Sequence, residues 1–189
     1  MTVDFDIDDP DEFGREIEAL RDRLLRFVTL TGVSDPESLL QSTVETAWRD
    51  RNRFAQASRF STWLFGIARN LARNDRRKMR AELDEHGALD SATTARGVLT
   101  SVARRELAAR LEIAIGRLPH AFGEAFVLHQ VEGLPFKEIA TIAGVTEATA
   151  RVRAFRARAL LREELGDLVD QDLRDPNVDE PSPSDTRRD

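Results

Sequence analysis

Arginine side chains are concentrated in two segments of the chain, where their type and spacing suit the binding of nucleic acid. The first segment, FSTWLFGIARNLARNDRRKMR, runs from Phe60 to Arg80, and the second, EATARVRAFRARALLREEL, runs from Glu147 to Leu165. In both, apolar residues recur at spacings of three and four, which predicts a helix whose cationic residues lie on another face. Guanidinium groups in such a row can hold DNA phosphates. The alternative interpretation is a solvated basic helix in an ordinary bundle.

A helix-turn-helix is predicted at the start of the second segment. A short helix begins at Pro135, and Gly144 permits the positive φ that ends it. Val145 fills the corner, and Thr146 caps the helix that follows. Two helices joined by a short turn containing Gly form the connection of a helix-turn-helix, whose second helix reads the major groove. This turn favours DNA binding over the solvated basic helix.

The elements that must position these residues lie between two acidic ends. The chain has 189 residues and a formal charge of −6. Residues 1–12 carry six acids and no base, the last 24 residues carry eight acids and three arginines, and the body between them has a charge of +5. The pattern predicts an all-α protein in five segments: an acidic N-terminal tail at 1–11, a helical block at 12–80, a linker at 81–101, a second helical block at 102–165, and an acidic disordered tail at 166–189.

Composition excludes several classes of function. Cys is absent, which rules out disulfides, thiolate metal sites and cysteine nucleophiles. The three His residues are scattered, and no P-loop, dinucleotide fingerprint or H-E-x-x-H motif occurs, so we expect no enzymatic activity, no metal and no cofactor. The acidic N-terminus is unlike a signal peptide, and no apolar stretch approaches the ~20 residues that span a bilayer. We therefore expect a cytoplasmic protein without membrane insertion.

Three segments, in order, carry a family resemblance. FSTWLFGIARNLARNDRR resembles F-x-x-W-L-x-x-I-A-R-N-x-x-x-D, the region 2.3–2.4 signature of bacterial RNA polymerase sigma factors of the extracytoplasmic-function (ECF) group. Upstream, DPESLLQSTVETAW is similar to their region 2.2, and residues 118–161 are similar to their region 4. The resemblance implies two small helical domains, a region 2 bundle and a region 4 helix-turn-helix bundle, joined by a flexible linker. It implies a factor that binds core polymerase and recognises the −10 and −35 promoter elements to initiate transcription.

The resemblance also implies the DNA contacts. In the family, the polar half of the first basic helix lies against the −10 element, and the loop before it captures an unstacked base. The matching residues here are Phe54, Phe60, Asn70, Arg73, Asn74 and Arg77. Phe54 and Phe60 have a second interpretation as core residues.

In the helix that reads the −35 element, the positions usual for base contacts hold Glu147, Ala148, Arg151 and Val152, and those usual for backbone contacts hold Arg153, Phe155, Arg156 and Arg158. Val152 and Phe155 depart from the family, where these two positions are commonly polar and basic. Apolar contact with thymine methyl groups is one use for such side chains.

Core RNA polymerase is the partner that the resemblance implies, through its β′ clamp helices and β flap. The candidate contact residues are Asp35, Glu37, Leu39, Leu40, Gln41, Glu45 and Trp48. Ser38 and Ser42 stand where acids are usual in the family, and Thr43 follows. A phosphate adds about −1.5 to −2 charge, so we hypothesise that a Ser/Thr kinase modifies Ser38, Ser42 or Thr43, in place of release from an anti-sigma protein. The alternative is drift at a tolerant surface, with polymerase still held by apolar contacts.

Two rival functions stay open at this point. A helix-turn-helix transcription regulator acting without core polymerase would explain the second block, but it leaves the resemblance of the Trp63 helix and of region 2.2 without a cause. A sigma mimic that titrates an anti-sigma protein would explain both blocks. Such a mimic has no need of phosphate contacts, and the arginine-rich helix argues against it.

Overall fold

Residues 5–54, 58–86 and 102–166 are described by a computed structural model, and over these residues the fold is all-α, as expected. A 3-10 turn at Arg51–Arg53 follows the second helix, and the fifth helix continues into a π-helical turn at Val127–Val131. Within the described ranges, no helix is long and apolar enough to cross a membrane. The helices are α1 Pro10–Leu30, α2 Pro36–Arg49, α3 Phe60–His86, α4 Val102–Arg117, α5 His120–Phe126, α6 Phe136–Ala143 and α7 Glu147–Leu165.

The segment boundaries differ in part from the prediction. The helix α3 continues to His86, six residues past residue 80, the predicted end of the first helical block. The remainder of that linker, the first four residues of the N-terminal tail and the C-terminal tail after Gly166 lie outside the described residues.

The N-terminal bundle consists of α1, α2 and α3. Its first helix begins where the Asp9 carboxylate accepts hydrogen bonds from the amides of Asp11 and Glu12, and its buried stripe has the predicted spacing. Leu24 and Phe27 from this stripe are fully buried, and the Phe27 ring meets Phe65 edge to face at 5.4 Å. Each such side chain contributes about 1.5–3 kcal/mol on burial, so the apolar half of α3 is a structural element of this bundle.

The C-terminal bundle consists of α4 to α7 and contains the predicted helix-turn-helix. Gly144 has a φ of +64° and ends α6, and the Thr146 hydroxyl accepts a hydrogen bond from the Thr149 amide at the start of α7. Small side chains line the buried face of α7, among them Ala150 and Ala157, which are fully buried. They let α5 and α6 pack closely against α7, and the other face of α7 is left to solvent.

The two bundles pack against each other. A single continuous cluster of buried apolar side chains includes residues of both, and three glutamates of the C-terminal bundle pair with residues of the N-terminal bundle. We name this contact the bundle interface and define it by Glu124, Glu132 and Glu138 with their partners. The resemblance implied two domains joined by a flexible linker. The bundle interface holds the two bundles together, and we call this the closed arrangement; the sequence did not predict it.

Candidate nucleic-acid interface

The polar half of α3 presents the four side chains predicted for the −10 element. Asn70, Arg73, Asn74 and Arg77 are all exposed, and within the described part of the chain none of them forms an ion pair. Their spacing of three and four residues places them along one side of the helix. Arg69, which precedes this row, points instead into the bundle interface. The row can therefore donate hydrogen bonds to phosphates and base edges without first breaking contacts.

An aromatic cluster lies at the beginning of α3. The Phe60 ring is 5.7 Å from Phe54 and 5.8 Å from both Phe13 and Trp63. Phe60 is buried, so in this conformation it is a core side chain and not the surface contact that the resemblance implied. Phe54 is partly exposed and borders the loop at 55–57, which lies outside the described residues. Phe60 is therefore a core residue in this conformation, whereas Phe54 lies at the edge of the cluster and is partly accessible to a ligand.

The helix α7 displays the predicted −35 residues on its solvent side. Glu147, Ala148, Arg151, Val152, Phe155 and Arg156 are exposed, and Arg153 and Arg158 are partly buried. The Phe155 side chain is 72% exposed and Val152 is 50% exposed, which is unusual for large apolar side chains on a helix that has a buried face of its own. An apolar row beside arginines suits a DNA groove that offers both methyl groups and phosphates.

A small cavity of about 220 Å³ lies beside this face, between the rings of Phe136 and Phe155. The Arg151 guanidinium lies 5.0 Å from the centre of the Phe136 ring and pairs with Glu147 at 3.1 Å. The Phe136 ring also stacks on the buried His129 at 4.0 Å. These contacts fix the first turn of α7 and pre-orient Arg151.

The residues predicted to contact polymerase divide between the surface and the core of α2. Asp35, Glu37, Gln41 and Glu45 are exposed, and Trp48 is partly buried. Asp35 caps α2 through the Ser38 amide at 3.0 Å. Leu39 and Leu40 are buried, which corrects their assignment as surface contacts, because both pack into the N-terminal bundle.

The three candidate phosphosites differ in access. Ser38 is exposed and Ser42 is partly exposed. Thr43 is fully buried, and its hydroxyl donates to the Leu39 carbonyl at 2.8 Å. A kinase cannot reach this hydroxyl in the folded chain, so Thr43 was wrongly included among the candidates.

Glu124 and Arg69 form the most buried ion pair of the bundle interface, with side chains 3% and 13% exposed. Burial raises the pKa of Glu124, and the charges of Arg69, Arg76 and Arg153 oppose that rise. A buried carboxylate needs such partners, because desolvation of an unpaired charge is costly. The pair joins α3 to α5 directly behind the polar half of α3.

Two further glutamates extend the bundle interface. Glu132 is buried, accepts a hydrogen bond from Arg23 at 2.9 Å and forms an ion pair with Arg26 at 3.2 Å, and burial raises its pKa against the effect of these two arginines. Glu138 on α6 accepts from the Thr62 hydroxyl at 2.5 Å and pairs with Arg59 at 3.3 Å. The first helix of the helix-turn-helix is thereby tied to the beginning of α3.

These glutamates were missed as functional residues by the sequence analysis. A usable signal was present for Glu124, because it lies in the apolar run AFGEAFVL, which predicts a buried side chain. No comparable signal marks Glu138, whose neighbours are ordinary for a short amphipathic helix. Its partner is identified only by the packing.

Known proteins match the chain over both bundles. The family model of Sigma-70 region 2 matches residues 17–82, and that of Sigma-70 region 4 matches residues 106–161. The RNA polymerase sigma factor CarQ of Myxococcus xanthus is 34% identical over 84% of this chain and 89% of its own length. The ECF RNA polymerase sigma factor SigW of Bacillus subtilis is 30% identical over 85% and 92%. In a co-crystal structure with the anti-sigma factor NepR, the sigma factor RpoE of Bartonella quintana superposes with a TM-score of 0.74 at 25% identity, covering 82% of this chain and 96% of that one.

Proposed function

Because this chain belongs to the sigma-70 family of RNA polymerase sigma factors, in its ECF group, we propose that it binds core polymerase and reads the −10 element with α3 and the −35 element with α7. The observation that carries this assignment is the pair of exposed basic faces, one on a helix of each bundle. Each face lies in the segment that matches the corresponding sigma region. Recognition of two promoter elements, one by each helix, accounts for both basic faces.

At the −35 element, α7 is proposed to insert its first turns into the major groove. Arg151 is held by Glu147 and Phe136 at the position where base edges are read. Val152 and Phe155 would meet thymine methyl groups, and Arg156, one residue further along the helix, would hold a phosphate. The two apolar side chains give this factor a preference for thymine-containing sites.

The closed arrangement must open for both elements to be read on one promoter. Elements named for positions −35 and −10 lie about 25 base pairs apart, or roughly 85 Å along B-DNA. The longest helix, α3, spans about 40 Å, and Glu138 ties its beginning to α6. We therefore propose that core polymerase separates the bundles and that the free chain is held closed. An anti-sigma protein, of the kind bound by the RpoE neighbour, is a partner suited to prolong the closed state.

Run-off transcription tests the main assignment. Purified chain is added to core polymerase that lacks any other sigma factor, with sheared genomic DNA as template, and the transcripts are sequenced. We expect discrete start sites. A transcription regulator that acts without polymerase, or a mimic that only titrates an anti-sigma protein, gives none, and that result would refute the assignment.

Matched variants then assign the two faces. Arg73→Ala with Arg77→Ala removes the α3 row, Arg151→Ala with Arg156→Ala removes the α7 row, and Arg15→Ala on the exposed side of α1 is the control. We expect each double variant to initiate at least about tenfold less, at a cost of about 1 kcal/mol or more for each lost contact. Equal initiation by all three variants would show that neither face reads DNA.

Phosphorylation of region 2.2 is a second, finer proposal. Ser38 lies in the first turn of α2, where the helix dipole favours added negative charge, and both Ser38 and Ser42 are accessible. The proposed effect is stronger attraction to the basic clamp of core polymerase. The affinity for core is compared between wild type, a Ser38→Asp/Ser42→Glu variant and a Ser38→Ala/Ser42→Ala control. The proposal requires tighter binding by the acidic variant alone, and equal affinity for all three proteins ends it.

A further inference from the structure

The N-terminal arm, Phe5–Asp9, covers part of the aromatic cluster at the beginning of α3. The Phe5 ring meets Phe60 edge to face at 5.0 Å. Three residues later, the Asp8 carboxylate accepts a hydrogen bond from Arg51 Nε at 2.9 Å. The arm belongs to the most acidic stretch of the chain, in which twelve residues hold six acids and no base. An aromatic ring and a carboxylate are thus placed together on one surface.

The covered surface has the chemistry of a single-stranded nucleic-acid site. Phe54 and Trp63 lie at its edge with their rings tilted by 41° at 5.3 Å, Phe60 lies behind them, and the Arg51 guanidinium lies 4.2 Å from the centre of the Trp48 ring. Aromatic faces beside a cation bind single strands because each base can stack on a ring while its phosphate pairs with the cation. The arm offers the same two groups, because the Phe5 ring packs on the aromatic side chains and the Asp8 carboxylate pairs with Arg51.

We propose that the N-terminal arm occupies this surface in the place of single-stranded DNA, with Phe5 lying where a base would stack and Asp8 where a phosphate would pair. This inference rests on the proposed promoter function and adds a step to it. The arm must leave before the displaced promoter strand can reach the aromatic cluster. Strand capture is therefore a competition between two occupants of one site.

The arm is shaped for this position by its own hydrogen bonds. The Asp6 amide donates to Glu12 Oε2 at 2.7 Å, and the Asp8 amide donates to Asp6 Oδ1 at 2.9 Å. Asp9 is the N-cap of α1, which fixes the end of the arm. The turn is therefore pre-formed, and holding Phe5 against Phe60 costs little additional ordering.

The contacts are also weak enough to be displaced. The Asp8 side chain is 62% exposed and that of Arg51 is 27% exposed, so solvent screens their ion pair. The ring contact between Phe5 and Phe60 is a single edge-to-face pair. Together these contacts should weaken the binding of a competing single strand by about 3- to 30-fold.

Binding of a mixed-sequence, 12-nucleotide single-stranded DNA to the full chain tests the proposal. The two tryptophans of the sequence, Trp48 and Trp63, both belong to the aromatic cluster, so quenching of their fluorescence reports occupancy. The variant Phe5→Ala/Asp8→Asn should bind about 3- to 30-fold tighter than wild type. Asp22→Asn, an exposed position on α1, removes the same charge far from the arm's contacts and should bind like wild type.

The outcomes separate this inference from the function on which it rests. Equal affinity of the arm variant and wild type, or no binding by either, overturns the competition even if the chain initiates transcription with core polymerase. A gain confined to the arm variant supports the competition, including in the case where run-off transcription fails and the promoter function is abandoned. A gain shared by Asp22→Asn would show that bulk charge, and not the arm, sets the affinity, and it too overturns the proposal.

Discussion

The Arg69–Glu124 pair offers the sharpest test of the closed arrangement. Replacing Arg69 by Leu leaves Glu124, whose side chain is 3% exposed, without its nearest cation. Breaking a buried pair by removing one partner costs about 3–5 kcal/mol, because the remaining charge stays desolvated. The pair joins the two bundles, so separating them relieves this cost by returning Glu124 to water. At 1.36 kcal/mol per factor of ten, we therefore expect Arg69→Leu to shift the equilibrium between closed and open chain by roughly 150- to 5000-fold toward the open form.

Small-angle X-ray scattering measures this shift directly, because opening increases the radius of gyration of the free chain. The expected result is a larger radius for Arg69→Leu and for Glu124→Leu. In the double variant neither member of the pair remains as a buried charge without the other, so the radius should return toward that of wild type. Arg77→Leu, an exposed arginine on the same helix, is the control and should leave the radius unchanged.

Two results would refute this reasoning. One is a wild-type radius and an unchanged unfolding midpoint for Arg69→Leu, which would mean that the pair does not hold the bundles together. The other is a double variant that opens further than either single variant. In that case the two charges do not compensate each other, and apolar packing must account for the closure.

Three further predictions concern the turn, the recognition face and acid sensitivity. Gly144→Ala should lower the free energy of unfolding in urea by about 1–2 kcal/mol, because Ala is strained at a φ of +64°, whereas Gly14→Ala inside α1 should raise it by about 0.5–1 kcal/mol. Phe155→Ala should leave the unfolding free energy within about 0.5 kcal/mol of wild type yet reduce initiation in the run-off assay, since the residue is 72% exposed. Desolvation of the ring, together with the charges of Arg76 and Arg69, lowers the pKa of His120 from 6.5 to about 4. Between pH 6.5 and pH 4 the unfolded chain therefore binds more protons than the folded chain, and acidification destabilises the fold. Thermal unfolding at pH 7 and pH 5 should show a smaller loss of stability for His120→Gln than for wild type, and an equal loss would contradict the assignment.

Local features of the fold were predictable from the sequence. The positive φ of Gly144, the cap by Thr146 and the buried stripe of α1 follow from residue type and spacing, which act over one or two turns of helix. The burial of Thr43 was also accessible in principle, because it lies four residues before Ala47 and three after Leu40 on the buried face of α2. The match to the family suggested an accessible hydroxyl at this position, whereas the helical periodicity predicts a buried one.

The bundle interface could not be predicted in the same way. Arg23 and Glu132 are 109 residues apart, and nothing in either local sequence indicates that they meet. The burial of Phe60 likewise depends on packing against Phe13 and Phe5, from a different helix and from the arm. Long-range pairing of charges and rings is decided by how whole helices pack, and a single sequence records only what each helix prefers alone.

The π-helical turn at Val127–Val131 gives the chain one place where its length can change. The Glu132 amide bonds to the carbonyl of Val127, five residues earlier, so this turn holds one residue more than an α-helix would. In a regular α-helix, one residue more or less rotates everything after it by about 100°, but a wider turn takes up the additional residue and the segment after it keeps its direction. Glu132 therefore reaches Arg23 and Arg26 with the additional residue in place. Deletion of one residue within this turn should be tolerated better than deletion of one residue from a regular helix such as α7, where no wider turn absorbs the change.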